Sequence, residues 1–289
     1  GWTDRSLAVD PELAAAAGGV ARFEVGAAGV RVDLPSTCQG LLVTVPGTSG
    51  DDTLTGTPGD DVIDGGGGND TIDGLGGDDV ICGGDGNDTL RGGDGADQLD
   101  GGDGADWVTF LGAAGGVTVD LWKGTVSGAA GDDTLTGIEH ITGTGYADDL
   151  YGDATMNRIN GLGGNDYIYS RVGHDIVAGG GGNDHVRGGP GNDVLDGGGG
   201  RDFVSYVWAD AAVVVDLWSG EATGEGTDTL VSFEHAKGSA FADWLRGTGG
   251  DNRLWGYGGD DRLAGRAGDD WADGGGGSDV CLVETPINC

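Results

Sequence analysis

Positive charge is what this sequence most lacks. Only 14 Lys and Arg stand against 49 Asp and Glu, a formal net charge of −35. Such a polyanion repels phosphate backbones, so nucleic acid is excluded as a partner. Long apolar runs are missing too, and no stretch approaches the length that spans a bilayer. Neither H-E-x-x-H nor G-x-S-x-G occurs, and no enzymatic activity is expected. Methionine occurs once, at Met156, and the first residue is Gly1, which reads as a processed start from which any export signal has gone. High charge with few large apolar residues would by itself predict a disordered chain.

What is there is glycine, 67 of them, in a strict order. Residues 47–109 count in nines without a slip, as in Gly65-Gly66-Gly67-Gly68-Asn69-Asp70-Thr71-Ile72-Asp73. The sixth place is always Asp: Asp52, Asp61, Asp70, Asp79, Asp88, Asp97 and Asp106. The eighth is always a branched aliphatic: Leu54, Ile63, Ile72, Ile81, Leu90, Leu99 and Val108. The count resumes at Gly143, with Asp148, Asn157, Asp166, Asp175, Asp184, Asp193 and Asp202 at place six, and again at Gly238, with Asp243, Asn252, Asp261, Asp270 and Asp279. A flexible Gly/Asp linker would keep no such register. Places one to six form a turn whose glycines tolerate φ > 0, and places seven to nine form a short strand. The middle residue of that strand points inward and its neighbours outward. One turn buries nothing useful, whereas stacked turns bury a continuous aliphatic column.

This nonapeptide, G-G-x-G-x-D-x-U-x, resembles the RTX family of calcium-binding β-rolls. The resemblance implies an all-β, right-handed parallel β-roll solenoid with calcium in its Gly/Asp turns. It also implies two nonapeptides per coil and ions held between turn n and turn n+2, so that Asp52 partners Asp70 and Asp61 partners Asp79. Calcium takes six to eight oxygens, which carboxylates and carbonyls supply. All the place-six residues above, Asn157 and Asn252 included, are then metal ligands. Counting pairs in each block gives about thirteen calcium ions, which offset most of the negative charge. The two asparagines keep an oxygen but lose a charge, so weaker sites or a contact with the adjacent excursion are expected there.

The blocks set the organisation: a cap at residues 1–46, repeat blocks at 47–109, 143–205 and 238–282, excursions at 110–142 and 206–237, and a tail at 283–289. In the cap, Asp10-Pro11-Glu12-Leu13 and the alanines after it predict a short helix, and Phe23–Val25 and Val30–Leu34 predict strands. A remnant of a larger upstream domain is the alternative to a cap. The excursions repeat one another: Val117 to Trp122 returns as Val213 to Trp218, and Ile138-Glu139-His140 as Phe233-Glu234-His235. The four cysteines allow three pairings, or none. Closeness in sequence and around the first turns favours Cys38–Cys82 and Cys281–Cys289, hence an oxidising, extracellular compartment. The absence of a long segment after the last nonapeptide argues against type I export.

Some residues exceed what a solenoid needs. Glu139-His140 and Glu234-His235 read either as metal or acid/base pairs or as excursions hydrogen-bonded to the coil. His174 and His185 fall at places expected to be solvated. Outward places hold Trp107, Tyr151, Tyr167, Tyr169, Phe203, Trp244, Trp255 and Trp271, either a contact surface or rings covered by the excursions. The composite expectation is a secreted calcium-binding structural or adhesive protein of the cell surface or matrix. Its partners would be copies of itself, stacked into fibres or layers, or cell-surface polysaccharide. The alternatives are a calcium-binding module cleaved from a secreted enzyme and a carbohydrate-binding module.

Overall fold

The computed structural model describes residues 22–26, 29–33 and 36–289. The helix expected from Asp10 lies outside the described residues. Among those described every element is a strand. Arg22–Gly26 and Gly29–Asp33 form an antiparallel pair of their own. Thr37–Cys38 and Leu41–Leu42 form a second small hairpin. All other strands belong to two sheets, one of 15 strands and one of 14.

Successive nonapeptides send their strands to the two sheets in turn. Each strand therefore pairs, parallel and in register, with the one 18 residues on. Leu54 lies beside Ile72, then Leu90, then Val108 in the shorter sheet, and Ile63 beside Ile81, then Leu99 in the longer. The place-eight side chains face one another between the sheets and are shielded from water, Ile63, Leu90, Ile168 and Leu195 at 0 % exposure among them. Each such side chain contributes roughly 1.5–3 kcal/mol. The core is this one column; flanking places stay exposed or half-buried. The chain is thus a parallel β-solenoid, in keeping with a β-roll.

Each excursion widens one sheet only. In the first, Val117–Asp120, Thr125–Gly128 and Thr134–Thr136 lie side by side in the longer sheet, while across the core Trp107–Thr109 pairs directly with His140–Thr142. In the second, Val214–Asp216, Glu221–Thr223 and Thr227–Val231 lie in the shorter sheet, and Phe203–Ser205 pairs directly with His235–Lys237. Three strands form in each excursion. The third is an ordinary coil strand, with Thr134 beside Gln98 and Thr229 beside Val194.

Both expected disulfides form. Cys38–Cys82 ties the small hairpin to the longer sheet across 44 residues, and Cys281–Cys289 closes the last coil. Disulfides of this kind persist in oxidising compartments.

Candidate metal centre

The place-six aspartates form two ladders, one along each row of turns. Most donate the backbone N–H to Oδ1 of the aspartate 18 residues later: Asp52 to Asp70 at 2.8 Å, Asp61 to Asp79 at 2.8 Å, Asp70 to Asp88 at 2.8 Å, Asp88 to Asp106 at 2.7 Å. The second block repeats this from Asp148 to Asp166 and from Asp166 to Asp184, the third from Asp243 to Asp261 and on to Asp279. The partners expected at n and n+2 therefore meet, and Oδ1 is satisfied.

Oδ2 is not. In 13 aspartates among the described residues it is buried without any hydrogen-bond partner: Asp70, Asp79, Asp88, Asp97, Asp106, Asp133, Asp166, Asp175, Asp184, Asp193, Asp202, Asp261 and Asp270. A buried carboxylate oxygen left unpaired costs several kcal/mol. Beside most of these oxygens is space that a glycine five residues earlier leaves. A Cβ on Gly65 would collide with Asp70 Oδ2 and with the Gly83 carbonyl, and a Cβ on Gly83 with Asp88 Oδ2 and the Gly101 carbonyl. An unpaired carboxylate oxygen and a carbonyl of the next coil thus converge on one cradle. Oxygen donors of this kind suit a hard divalent cation, and calcium fits the donor set. No three His, Cys, Asp or Glu side chains converge among the described residues, so backbone carbonyls would have to supply the remaining ligands of a bound ion.

The carboxyls register the strain. Burial, reinforced by the charge of neighbouring coils and opposed in part by the accepted N–H, raises Asp79, Asp106 and Asp261 to about 6. It raises Asp166 and Asp193 to about 7. A cation in the cradle reverses this preference.

The first rungs of each block differ. Asp148 accepts from the Thr144 N–H and hydroxyl, and Asp243 from those of Ser239. Asp52 likewise accepts from Thr48. At Asp61 burial raises the carboxyl, but donors from Thr57 and Thr44 outweigh it and hold it below the usual range. These side chains are satisfied within the protein. Asn157 and Asn252 are also satisfied, each by a hydrogen bond from the residue four before it and by bonds from its own amide nitrogen.

Five acids that the nine-residue count passed over belong to the ladders. Asp133 accepts the Asp97 N–H and Asp228 the Asp193 N–H. Glu139, Glu234 and Glu284 accept those of Asp106, Asp202 and Asp270. A signal existed for one of them: Gly131 to Gly137 repeats Gly50 to Gly56 letter for letter.

Outside the ladders, His140 and His235 are buried, their pKa values lowered by that burial, and their Nδ1 atoms accept the N–H of Arg158 and of Arg253. That is the coil-bonded reading of the Glu-His pairs. His174 is exposed as expected. His185 is not. It lies half-buried between Tyr167 and Phe203, with rings stacked at 5.5 and 5.7 Å, because the neighbouring coils carry rings at the same place. Burial, then the Lys237 charge, lowers it to about 4. The row continues in both directions along the longer sheet, from Tyr151 through Tyr167, His185, Phe203 and Trp255 to Trp271, each centroid within 5.9 Å of the next. At its end a groove of about 470 Å³ is lined by Arg201, His235, Asp251, Asn252, Arg253, Trp255, Asp269 and Trp271. Trp244 stands apart on the other sheet, 50 % exposed.

One family's sequence pattern covers most of this architecture. The RTX calcium-binding nonapeptide repeat, in its four-copy form, matches residues 46–81, 83–111, 142–177, 171–204, 237–271 and 255–282. The chain belongs to this family. It is an RTX repeat protein, and RTX repeats bind calcium. No curated protein matches the chain.

Proposed function

We propose that this RTX protein is a secreted, calcium-stiffened adhesive protein of the cell surface or matrix, which holds cell-surface polysaccharide and catalyses nothing. The observation that carries the reading is the row of rings on the longer sheet, ending in a groove with two exposed arginines. A groove that sets Arg201, Arg253, Asp251 and Asp269 beside Trp255 and Trp271 has the elements of a saccharide surface: flat rings to stack on and charged groups to hydrogen-bond sugar hydroxyls.

Calcium sets the rigidity of that face. One ion for each unpaired Oδ2 gives 13 ions, each bridging two coils through an aspartate and turn carbonyls.

The test is sedimentation with insoluble polysaccharides in millimolar calcium, using the wild type and the double variant Trp255→Ala/Trp271→Ala. The double variant is expected to lose at least tenfold in affinity while keeping its circular dichroism. Equal binding by both proteins defeats the reading. Electron microscopy of the same samples separates self-assembly, since filaments that dissolve on chelation would make the row an interface between copies.

A further inference from the structure

We propose that Asn157 and Asn252 are cation-free latches, in which a side-chain amide performs the bridging that calcium performs elsewhere in the ladders. The two sites are built alike, 95 residues apart. The Asn157 amide nitrogen donates to the Glu139 carbonyl at 2.9 Å and to Asp153 Oδ1 at 3.1 Å, and its Oδ1 accepts the Asp153 N–H at 2.8 Å. The Asn252 amide nitrogen donates to the Glu234 carbonyl at 2.7 Å and to Thr248 Oγ1 at 3.0 Å, and its Oδ1 accepts the Thr248 N–H at 2.7 Å. Both side chains are sealed from solvent, at 0 % and 1 % exposure. Every polar atom of both amides has a partner, whereas the interior aspartates leave Oδ2 bare. In the cradle beside Gly152 and Gly247 the asparagine presents its amide oxygen, already engaged by the Asp153 or Thr248 N–H, and the amide brings no charge to hold a cation there.

The rest of the excursion motif completes the latch. In an ordinary coil the place-six carbonyl accepts the N–H that opens the strand 18 residues later, as Asp88 does from Trp107. At the joints that N–H goes to an imidazole, Arg158 to His140 and Arg253 to His235, both at 3.1 Å. This frees the Glu139 and Glu234 carbonyls for the asparagines. The glutamate side chains meanwhile accept the N–H of Asp106 and of Asp202 on the other side. Glu, His and the Asn that follows 17 residues after the His thus act as one unit at both joints. A charged, cation-requiring contact is replaced by a neutral one where each excursion rejoins the coil. The calcium tract is divided into three runs, and the joints between them do not depend on the ion.

Native mass spectrometry of calcium-loaded protein counts ions one by one. The Asn157→Ala/Asn252→Ala variant is expected to carry as many ions as the wild type. Asn157→Asp/Asn252→Asp is expected to carry two more, because each carboxylate restores the charge that the amide lacks and loses the bond to the Glu139 or Glu234 carbonyl. Asp88→Asn, expected to lose at least one ion, shows that the count resolves a single site. An alanine variant short of one or two ions overturns the proposal, since calcium then sits at the asparagines. Should the alanine variant fail to fold, the aspartate variant decides alone: two extra ions support the latch and an unchanged count refutes it.

Discussion

At the scale of single residues, the ladders are built around a deficit. Oδ1 of each interior aspartate is satisfied and Oδ2 is not, so the metal-free coil carries buried charge it has no means to neutralise except by taking up protons. The sign of its pH dependence follows. Asp133, Asp166 and Asp193 are raised to about 7 in the folded chain, against about 3.9 when unfolded. The folded state binds more protons between these limits, so stability is fully present below about pH 4 and is lost as pH rises through about 7. In chelator, far-ultraviolet circular dichroism is expected to report more β-structure at acidic than at alkaline pH. In excess calcium the order reverses, because protons then compete with the ion. A metal-free signal that grows with pH would contradict the buried, unpaired carboxylates. Place six was legible in the sequence because it recurs at a fixed interval. Glu139 and Glu234 were not, because the ladder counts coils in space and the hairpin adds residues without adding a coil.

At the scale of elements, the excursions are pinned from outside by a pair of devices that repeat. The Arg171 guanidinium lies 5.9 Å from the Trp122 ring and bonds Asp120 at 3.0 Å, and Arg266 lies 4.1 Å over Trp218. Both arginines adopt the left-handed backbone region, φ 77° and 83°, which carries the side chain back over the preceding excursion. Spacing could not reveal this pairing, since it depends on a φ that nothing in the local sequence dictates and on partners about 49 residues apart. The strands themselves were legible, because turn glycines and alternation define them locally. Arg171→Ala is expected to cost about 1–2 kcal/mol and to speed hydrogen exchange across Val117–Gly128, leaving Ile176–Gly182 protected. Uniform loosening of both segments would mean that the pin serves the whole coil and not the excursion.

At the scale of the molecule, the aliphatic column is thin and the turns hold unpaired carboxylates, so calcium and the column are expected to share the work of folding. A stack of 15 strands at about 4.8 Å spacing extends about 70 Å. Chelation at neutral pH is expected to swell the chain toward the roughly 60 Å radius of gyration of an unfolded polymer of this length, which small-angle scattering would register directly; a radius that stays constant would show that the column holds alone. The two excursions bear on form in another way. Each inserts two strands into one sheet with no counterpart opposite, a wedge of about 10 Å on one side of the stack. Eight strands, from His140–Thr142 to Phe203–Ser205, lie between the excursions. Strands alternate between sheets, so an even number places successive wedges on opposite sides, and their tilts oppose. An odd number would have set both on the same side, and a longer chain of such units would curl into an arc. The parity of a repeat count thus decides whether this architecture can be lengthened without curvature.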